Sequence, residues 1–399
     1  MNNLAAFIFS ILLFSCSISD SKAFASSIQT VIFSNFHPDS TTLVKETRLS
    51  DIYEMEKILL LDFPEDMFIG EVNNIKIKNN RIFILDSFTT KRIFVFSIDG
   101  KYLYTIDDHG DGPDKYSILM GFTISHDGKE VLVLDSNRSN IMHYDAANGK
   151  LIRTSKLNFP CLRIVRLPNA TGYAFLTNEE KTLVITDNSF KKKYETKDRD
   201  HGRFLKLSVH FIEYRDKTIF MEPFNESIYN VGATKTEVWR KVPTPDQKEV
   251  EELKKRLPAN GTNYLEFLDK ANSLARRKSY MEYENGFAFF SLKKDATKKI
   301  VKDFSTGKTY QFSYNDLVND LTFTRALPMY ALGNLTEDYV GIGYVNALNT
   351  SKEEILANIK KYGENEYSAQ MKAIANKLTN DERDQLIFCL FKLKSNLTF

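Results

Sequence analysis

Along the middle of the chain, short apolar runs recur between polar turns. The run Arg81-Ile82-Phe83-Ile84-Leu85-Asp86-Ser87 is followed by Arg92-Ile93-Phe94-Val95-Phe96, and then by Asp99-Gly100-Lys101. The same grammar returns in Glu130-Val131-Leu132-Val133-Leu134-Asp135-Ser136, Asn140-Ile141-Met142-His143-Tyr144 and Asn148-Gly149-Lys150, so that Asp135 stands 49 residues after Asp86. Continuous apolar runs this short, rich in β-branched and aromatic residues, predict strands buried on both faces. The glycine before each lysine supplies the positive φ that such turns often need. A partly polar strand follows, as in Tyr102-Leu103-Tyr104-Thr105-Ile106. Another precedes it, as in Asn74-Ile75-Lys76-Ile77-Lys78, where apolar and polar residues alternate with period two. Each unit therefore holds four strands.

Fainter copies continue. Tyr173-Ala174-Phe175-Leu176-Thr177 with Leu183-Val184-Ile185-Thr186 is a third, and Thr218-Ile219-Phe220-Met221-Glu222 with Ile228-Tyr229-Asn230-Val231 is a fourth. Phe287-Ala288-Phe289-Phe290-Ser291, Lys299-Ile300-Val301 and Thr306-Gly307-Lys308 make a fifth, and Tyr339 to Val345 begins a sixth. Four strands every ~42–50 residues is the rhythm of propeller blades. The pattern predicts an all-β chain, a six-bladed β-propeller over residues 44–399, with a β-sandwich as the competing architecture. Two stretches interrupt the period, at about residues 244–278 and 350–379. Thr244-Pro245-Asp246-Gln247 and Ser351-Lys352-Glu353-Glu354 read as helix-opening capping boxes. The apolar stripes Val250, Leu253, Leu257 and Tyr264, Phe267, Leu268, Ala271, Leu274, Ala275 predict two helices in the first insertion. Ile355, Ile359, Tyr362 and Tyr367, Met371, Ile374, Leu378 predict two in the second, packed on the propeller body. Strands at Lys57–Leu61 and Gln385–Leu393 are expected to complete the sixth blade, because a ring of sheets must seal its first and last edges.

The N-terminus follows different rules. Leu4 to Phe14 is an apolar run broken only by Ser10. It is too short to span a ~30 Å bilayer core and has the length of a secretory signal. It ends in Leu13-Phe14-Ser15-Cys16, which resembles the lipobox of bacterial lipoproteins. That resemblance implies cleavage and diacylation at Cys16, leaving residues 1–16 as signal peptide and lipobox and 17–43 as a Ser-rich tether and lead-in. The alternative is an ordinary signal peptide cut near Ala23-Phe24-Ala25.

Composition narrows the function classes. Lys and Arg number 54 against 52 Asp and Glu, a net +2, which gives no electrostatic reason for a nucleic-acid partner. Besides Cys16 there are two cysteines, Cys161 and Cys389, both among apolar residues, and they read as buried free thiols rather than a disulfide framework.

Three features together resemble a known family. These are the strand ending Asp86-Ser87, the turn Val95-Phe96-Ser97-Ile98-Asp99-Gly100-Lys101, and the motif Gly110-Asp111-Gly112-Pro113-Asp114-Lys115-Tyr116. They are similar to Bacteroides-type secreted six-bladed propeller lipoproteins, over about Val44 to Lys394, and the order Asp86…Arg92-Ile93 is similar to the NHL repeat. In the family the residue after Gly-Pro is often Gly, where this chain has Asp114. The resemblance implies a fold and an export route, with no activity attached.

Candidate chemistry is sparse. If Asp107 opened an EF-hand loop, its twelfth position would be Ile118 rather than glutamate. The six histidines lack metal-ligand spacing, and a Gly-x-Ser-x-Gly elbow is absent. Asp86, Asp135 and Glu222 end equivalent strands in three units and are candidate ligand-binding groups around one rim of the channel. Metal-dependent six-bladed lactonases place acidic ligands near such a channel. The competing expectation is that these side chains cap strand ends. The leading functional reading is a non-enzymatic, membrane-tethered propeller of the cell envelope that binds a glycan, peptide or envelope protein. The alternative is a metal-assisted hydrolase or lyase using the channel carboxylates with a divalent metal. No other cofactor is expected.

Overall fold

The computed structural model describes residues 42–44, 47–177, 183–196, 210–213, 216–222, 225–242, 246–255, 270, 273–274, 276–282, 287–293, 297–313, 317–326, 340–346, 350–378, 385–395 and 397. Cys16, the tether to residue 41, the Thr244-Pro245 helix start and most of the second helix expected in the first insertion lie outside them.

The described chain opens with β1 (Thr42–Val44), β2 (Thr47–Arg48), the short helix α1 (Leu49–Ile52) and β3 (Tyr53–Leu60). Four antiparallel sheets of four strands follow in chain order. The first holds β4 (Asn74–Lys78), β5 (Arg81–Asp86), β6 (Arg92–Ser97) and β7 (Tyr102–Ile106). The second holds β8 (Leu119–Ile124), β9 (Glu130–Asp135), β10 (Asn140–Asp145) and β11 (Leu151–Lys156). The third holds β12 (Arg163–Arg166), β13 (Tyr173–Leu176), β14 (Leu183–Thr186) and β15 (Lys192–Glu195). The fourth holds β16 (His210–Glu213), β17 (Thr218–Met221), β18 (Ser227–Val231) and β19 (Thr236–Lys241). After α2 (Gln247–Lys255), the fifth sheet holds β20 (Arg276–Glu282), β21 (Phe287–Lys293), β22 (Thr297–Asp303) and β23 (Thr309–Ser313). A two-residue strand, β24 (Leu317–Val318), pairs in parallel with β2. The last elements are β25 (Gly341–Asn346), α3 (Lys352–Tyr362), α4 (Ser368–Ala375) and β26 (Leu386–Leu393).

The burial pattern explains why the second strand of each blade is apolar at every position. Ile82 and Ile84 pack toward the sixth blade, with Ile342, Phe388 and Leu390. Their alternates Phe83 and Leu85 pack toward the second, with Val131 and Val133. Leu132 and Leu134 then face the third blade, against Ile164 and Phe175. Ala174 and Leu176 face the fourth, against Phe220 and Val231. A blade is sandwiched between two others, so the period-two alternation sends apolar side chains to two cores rather than to one core and water.

Ring closure joins the two ends of the chain. β26 lies between β25 and β3 and pairs antiparallel with both, from Ile387↔Leu60 to Leu393↔Tyr53 on the β3 side. The sixth sheet thus takes its outer strand from the N-terminal part of the chain, as the edge-sealing argument predicts. Among the described residues this sheet has three strands, where the repeat pattern predicts four. The lead-in contributes elsewhere as well. Thr42–Val44 pairs in parallel with Tyr310–Phe312, giving the fifth blade a fifth strand.

The Gly-Lys turns are also as read. Gly100, Gly149 and Gly307 have φ of +85°, +73° and +71°, and each following lysine carbonyl accepts the amide of Ser97, Asp145 or Asp303 at 2.8–3.0 Å. At the start of α3, the Ser351 hydroxyl accepts the Glu354 amide at 3.1 Å, the first arm of the capping box. The second arm is diverted, because Glu354 Oε1 accepts the amide of Arg325 at 2.7 Å and ties the helix to the preceding loop instead. Ile355, Ile359, Met371 and Ile374 are buried in the core shared with Ile58, Ile387, Cys389 and Phe391, so α3 and α4 cover the sixth blade.

Candidate functional site

The channel end of four blades builds one cavity, about 90 Å³ in volume, lined by β4, β8, β12 and β16. These are the first strands of their blades. Asn74, Lys76 and Lys78 come from the first blade, Arg163 and Arg166 from the third, and Glu213 from the fourth. At its centre is Glu213 Oε1. It accepts Lys76 Nζ at 2.7 Å, the Thr123 hydroxyl at 3.3 Å and the Arg166 amide at 3.3 Å. One carboxylate therefore joins groups from four blades. Burial works to raise the Glu213 pKa, but the charges of Lys76 and Arg166 and the bonds they make overturn it and hold the carboxyl below the usual range. Arg163 titrates lower than an ordinary guanidinium because burial disfavours its charge.

Asp86 and Asp135 lie elsewhere. Each sits at the end of the second strand of its blade, fully buried, away from the first strands that line the cavity. Asp86 Oδ2 accepts the amides of Gly70 at 2.9 Å and of Glu71 and Thr90 at 3.2 Å, together with the Thr90 hydroxyl at 3.0 Å, while Oδ1 accepts the Thr89 amide at 2.9 Å. Asp135 repeats the design on the amides of Ser117, Ile118 and Asn137 at 3.1–3.3 Å and on the Ser117 hydroxyl. Both carboxylates fasten the segment entering their own blade to the turn leaving its second strand. For these two, the bonds favour the competing expectation, that the side chains hold neighbouring turns, over that of rim ligands. Glu222 accepts Asn225 Nδ2 at 3.1 Å within its own turn and does not line the cavity. Among the described residues, no group of three or more His, Cys, Asp or Glu side chains is arranged to hold a metal ion.

The Gly110–Tyr116 motif is a connector built around one arginine and one tyrosine. Arg138 donates to the carbonyls of Gly112 at 2.8 Å, Lys115 at 2.6 Å and Gly110 at 3.3 Å. Tyr116 is fully buried, and its hydroxyl donates to the Lys91 carbonyl at 2.7 Å. These contacts fix the passage from the first blade to the second.

A second polar chain crosses the second blade. Ser155 Oγ lies 3.0 Å from His143 Nε2, and His143 Nδ1 lies 2.8 Å from Glu130 Oε2. The order resembles a nucleophile, base and orienting acid. Its carboxylate, however, is gripped by Arg153 at 2.5 and 2.9 Å, and the three residues sit on three adjacent strands. The network stitches the outer strand β11 to β9 and β10. Burial pulls the His143 pKa below its ordinary value, with the Glu130 carboxylate opposing and not prevailing.

Glu213, Lys76, Lys78, Arg163 and Arg166 carry no motif, which is why the sequence pattern did not single them out as a site. A usable signal exists. The first strand of a blade that alternates apolar with charged residues, as Asn74 to Lys78 does, exposes that second face to something other than a neighbouring blade.

Comparison with known proteins agrees with this architecture. A family model described as a 6-bladed beta-propeller, DUF5128, matches residues 29–342. A Bacteroides fragilis protein assigned by name to export superposes with a TM-score of 0.65 at 16% identity, covering 88% of this chain and 100% of its own. A member of the DUF4221 family from Bacteroides vulgatus superposes with a TM-score of 0.50 at 12% identity, covering 86% of this chain and 98% of its own. No curated protein matches the chain. With most of its length matched, and with six sheets closed by its own terminal strands, the chain belongs to the DUF5128 family of six-bladed β-propellers.

Proposed function

We propose that the chain is an exported lipoprotein, tethered through Cys16 to a membrane of the cell envelope, whose propeller is a non-enzymatic module binding a ligand or partner. The Leu4–Phe14 run ending at Cys16 supports the export and the anchor, and the fold shared with a protein assigned to export supports the export. Several acyl chains on one cysteine anchor firmly, each buried CH₂ contributing ~0.8 kcal/mol. The observation that carries the binding role is the channel cavity: charged groups from different blades converge on it, while Asp86 and Asp135 are committed to turns. A cavity with a few convergent polar groups is the usual form of a ligand site.

Two experiments test this reading. Mass spectrometry of the membrane-extracted protein should find an acylated N-terminal Cys16, and Cys16→Ser should release the protein from membranes. An unmodified N-terminus near residue 26 contradicts the anchor. Arrays of glycans, peptides and envelope proteins should yield a saturable ligand. Failure across all three classes contradicts the binding role.

A further inference from the structure

We infer that the loops entering the first and second blades form a docking surface for a peptide segment that combines Lys or Arg with apolar side chains. The surface lies outside the channel lining and goes beyond the binding role proposed above. Three large apolar side chains stand out from it: Phe88 is 62% exposed, Ile118 47% and Phe68 45%. The register places all three at one end of the ring. Asn74 pairs with Leu85 and Leu119 with Asp135, so the loop entering each first strand stands beside the turn leaving the second. A single exposed apolar residue needs no explanation. The other exposed large apolar residues are of that kind, spread over the outer strands β1, β7, β11 and β19 and the helix α3.

Phe68, Phe88 and Ile118 sit instead on a fixed frame. Asp86 fastens Gly70 and Glu71, just after Phe68, to Thr89 and Thr90, just after Phe88. Gly70 lies so close to Thr89 that a Cβ there would come within 2.3 Å of Thr89 Cγ2. Tyr116 ties the loop of Ile118 to the Lys91 carbonyl in the Phe88 turn, and Asp135 accepts the Ile118 amide at 3.3 Å. Apolar side chains held out on ordered loops lose little conformational freedom on binding, which is the setting of an interface anchor. Charge names the occupant. Arg92 and Lys115 are paired with Asp107 at 2.7 Å and Asp108 at 3.1 Å, and Arg138 lies 3.9 Å from the buried Asp135. Asp66, Glu71, Asp111 and Asp114 are exposed on the same loops and stand outside these pairs, with Lys91 as the remaining cation. Apolar anchors rimmed by carboxylates favour a cationic partner and repel an anionic one, an acidic lipid surface included.

The test titrates the full chain, purified in detergent, into a fluorescein-labelled peptide carrying lysines and phenylalanines in a Gly-Ser background, read by anisotropy. The peptide should bind saturably, and its counterpart with Glu for Lys should bind at least tenfold more weakly. Phe88→Ser should weaken binding of the lysine peptide at least tenfold, and Lys78→Gln in the channel should leave it unchanged. Circular dichroism checks the fold of each variant. Asp111→Asn with Asp114→Asn should weaken binding as well, and carries the test if Phe88→Ser fails to fold. No saturable binding, equal affinity for the two peptides, or equal affinity in folded Phe88→Ser overturns the inference. Binding lost in Lys78→Gln but kept in Phe88→Ser overturns it too, and leaves the channel reading standing.

Discussion

Lys76, on the first strand of the first blade, and Glu213, on the first strand of the fourth, meet at 2.7 Å across the channel. The two residues are 137 positions apart, and the arrangement of the blades around the channel brings them together. The pair also touches the second blade through Thr123 and the third through the Arg166 amide. It therefore reports on the integrity of four blades at once.

Breaking this pair from one side should be costly. Both side chains are mostly buried, so Glu213→Gln leaves the Lys76 ammonium without the carboxylate it meets at 2.7 Å. We expect a loss of about 3 kcal/mol, the low end for a one-sided break of a buried pair. The double change Lys76→Met with Glu213→Leu should recover much of it, since well-packed apolar replacements of such pairs are often neutral. Urea unfolding of the four proteins gives the coupling energy directly.

Asp86→Ala should destabilise without touching ligand binding. It strips partners from four backbone amides and a hydroxyl at the entry of the first blade. The expected loss is about 3 kcal/mol. Asp86→Asn keeps one acceptor oxygen and should lose less. Denaturation midpoints check the order, and unchanged ligand capture by Asp86→Asn confirms the structural role.

The same residue shows how far the sequence was readable, and where it left two readings open. The Asp86–Asp135 offset revealed the blade repeat because each aspartate does the same structural job in its own unit. That equivalence is also why it looked like a ring of ligands. A role repeated blade by blade is a requirement of the repeat, whereas the channel site is assembled from dissimilar residues of different blades. Glu213 follows His210-Phe211-Ile212, a strand too short and irregular to stand out. The apolar strands were legible because neighbouring blades bury both of their faces, as Phe83 and Ile84 show. The parallel strand at Thr42–Val44 was not, since three residues carry no periodicity.

Acid should loosen the second blade first. Burial depresses the His143 pKa, so the unfolded chain binds a proton at this residue at higher pH than the folded one. Stability therefore falls as pH drops below the ordinary histidine value of ~6.5. Glu130 shifts the same way for a different reason. Burial alone would raise it, but its bonds to Arg153 and His143 bring it down. Its contribution is present above ~4.3 and is lost as pH falls through the folded value. His143→Gln should remove the onset near pH 6.5 and leave the later one, as read from melting temperatures between pH 4 and 8.

The two described thiols should be silent in the folded protein. Cys161 and Cys389 are free and buried; burial pushes Cys161 up to about 12 and raises Cys389 as well. A thiol-reactive disulfide reagent at pH 8 should label neither until denaturant is added, and then label both. Rapid labelling of the native chain would show an opening of the sixth blade at Cys389 or of the second-to-third connector at Cys161.

The most direct test of a tethered binding propeller is a single comparison: capture of ligands from glycan, peptide and envelope-protein arrays by the full chain and by its folded Lys78→Gln variant. The parent chain should retain a saturable ligand, and the variant should lose or weaken it at least tenfold, because the ligand sits in the channel. Equal capture by both proteins, or none by either, would contradict a channel that binds.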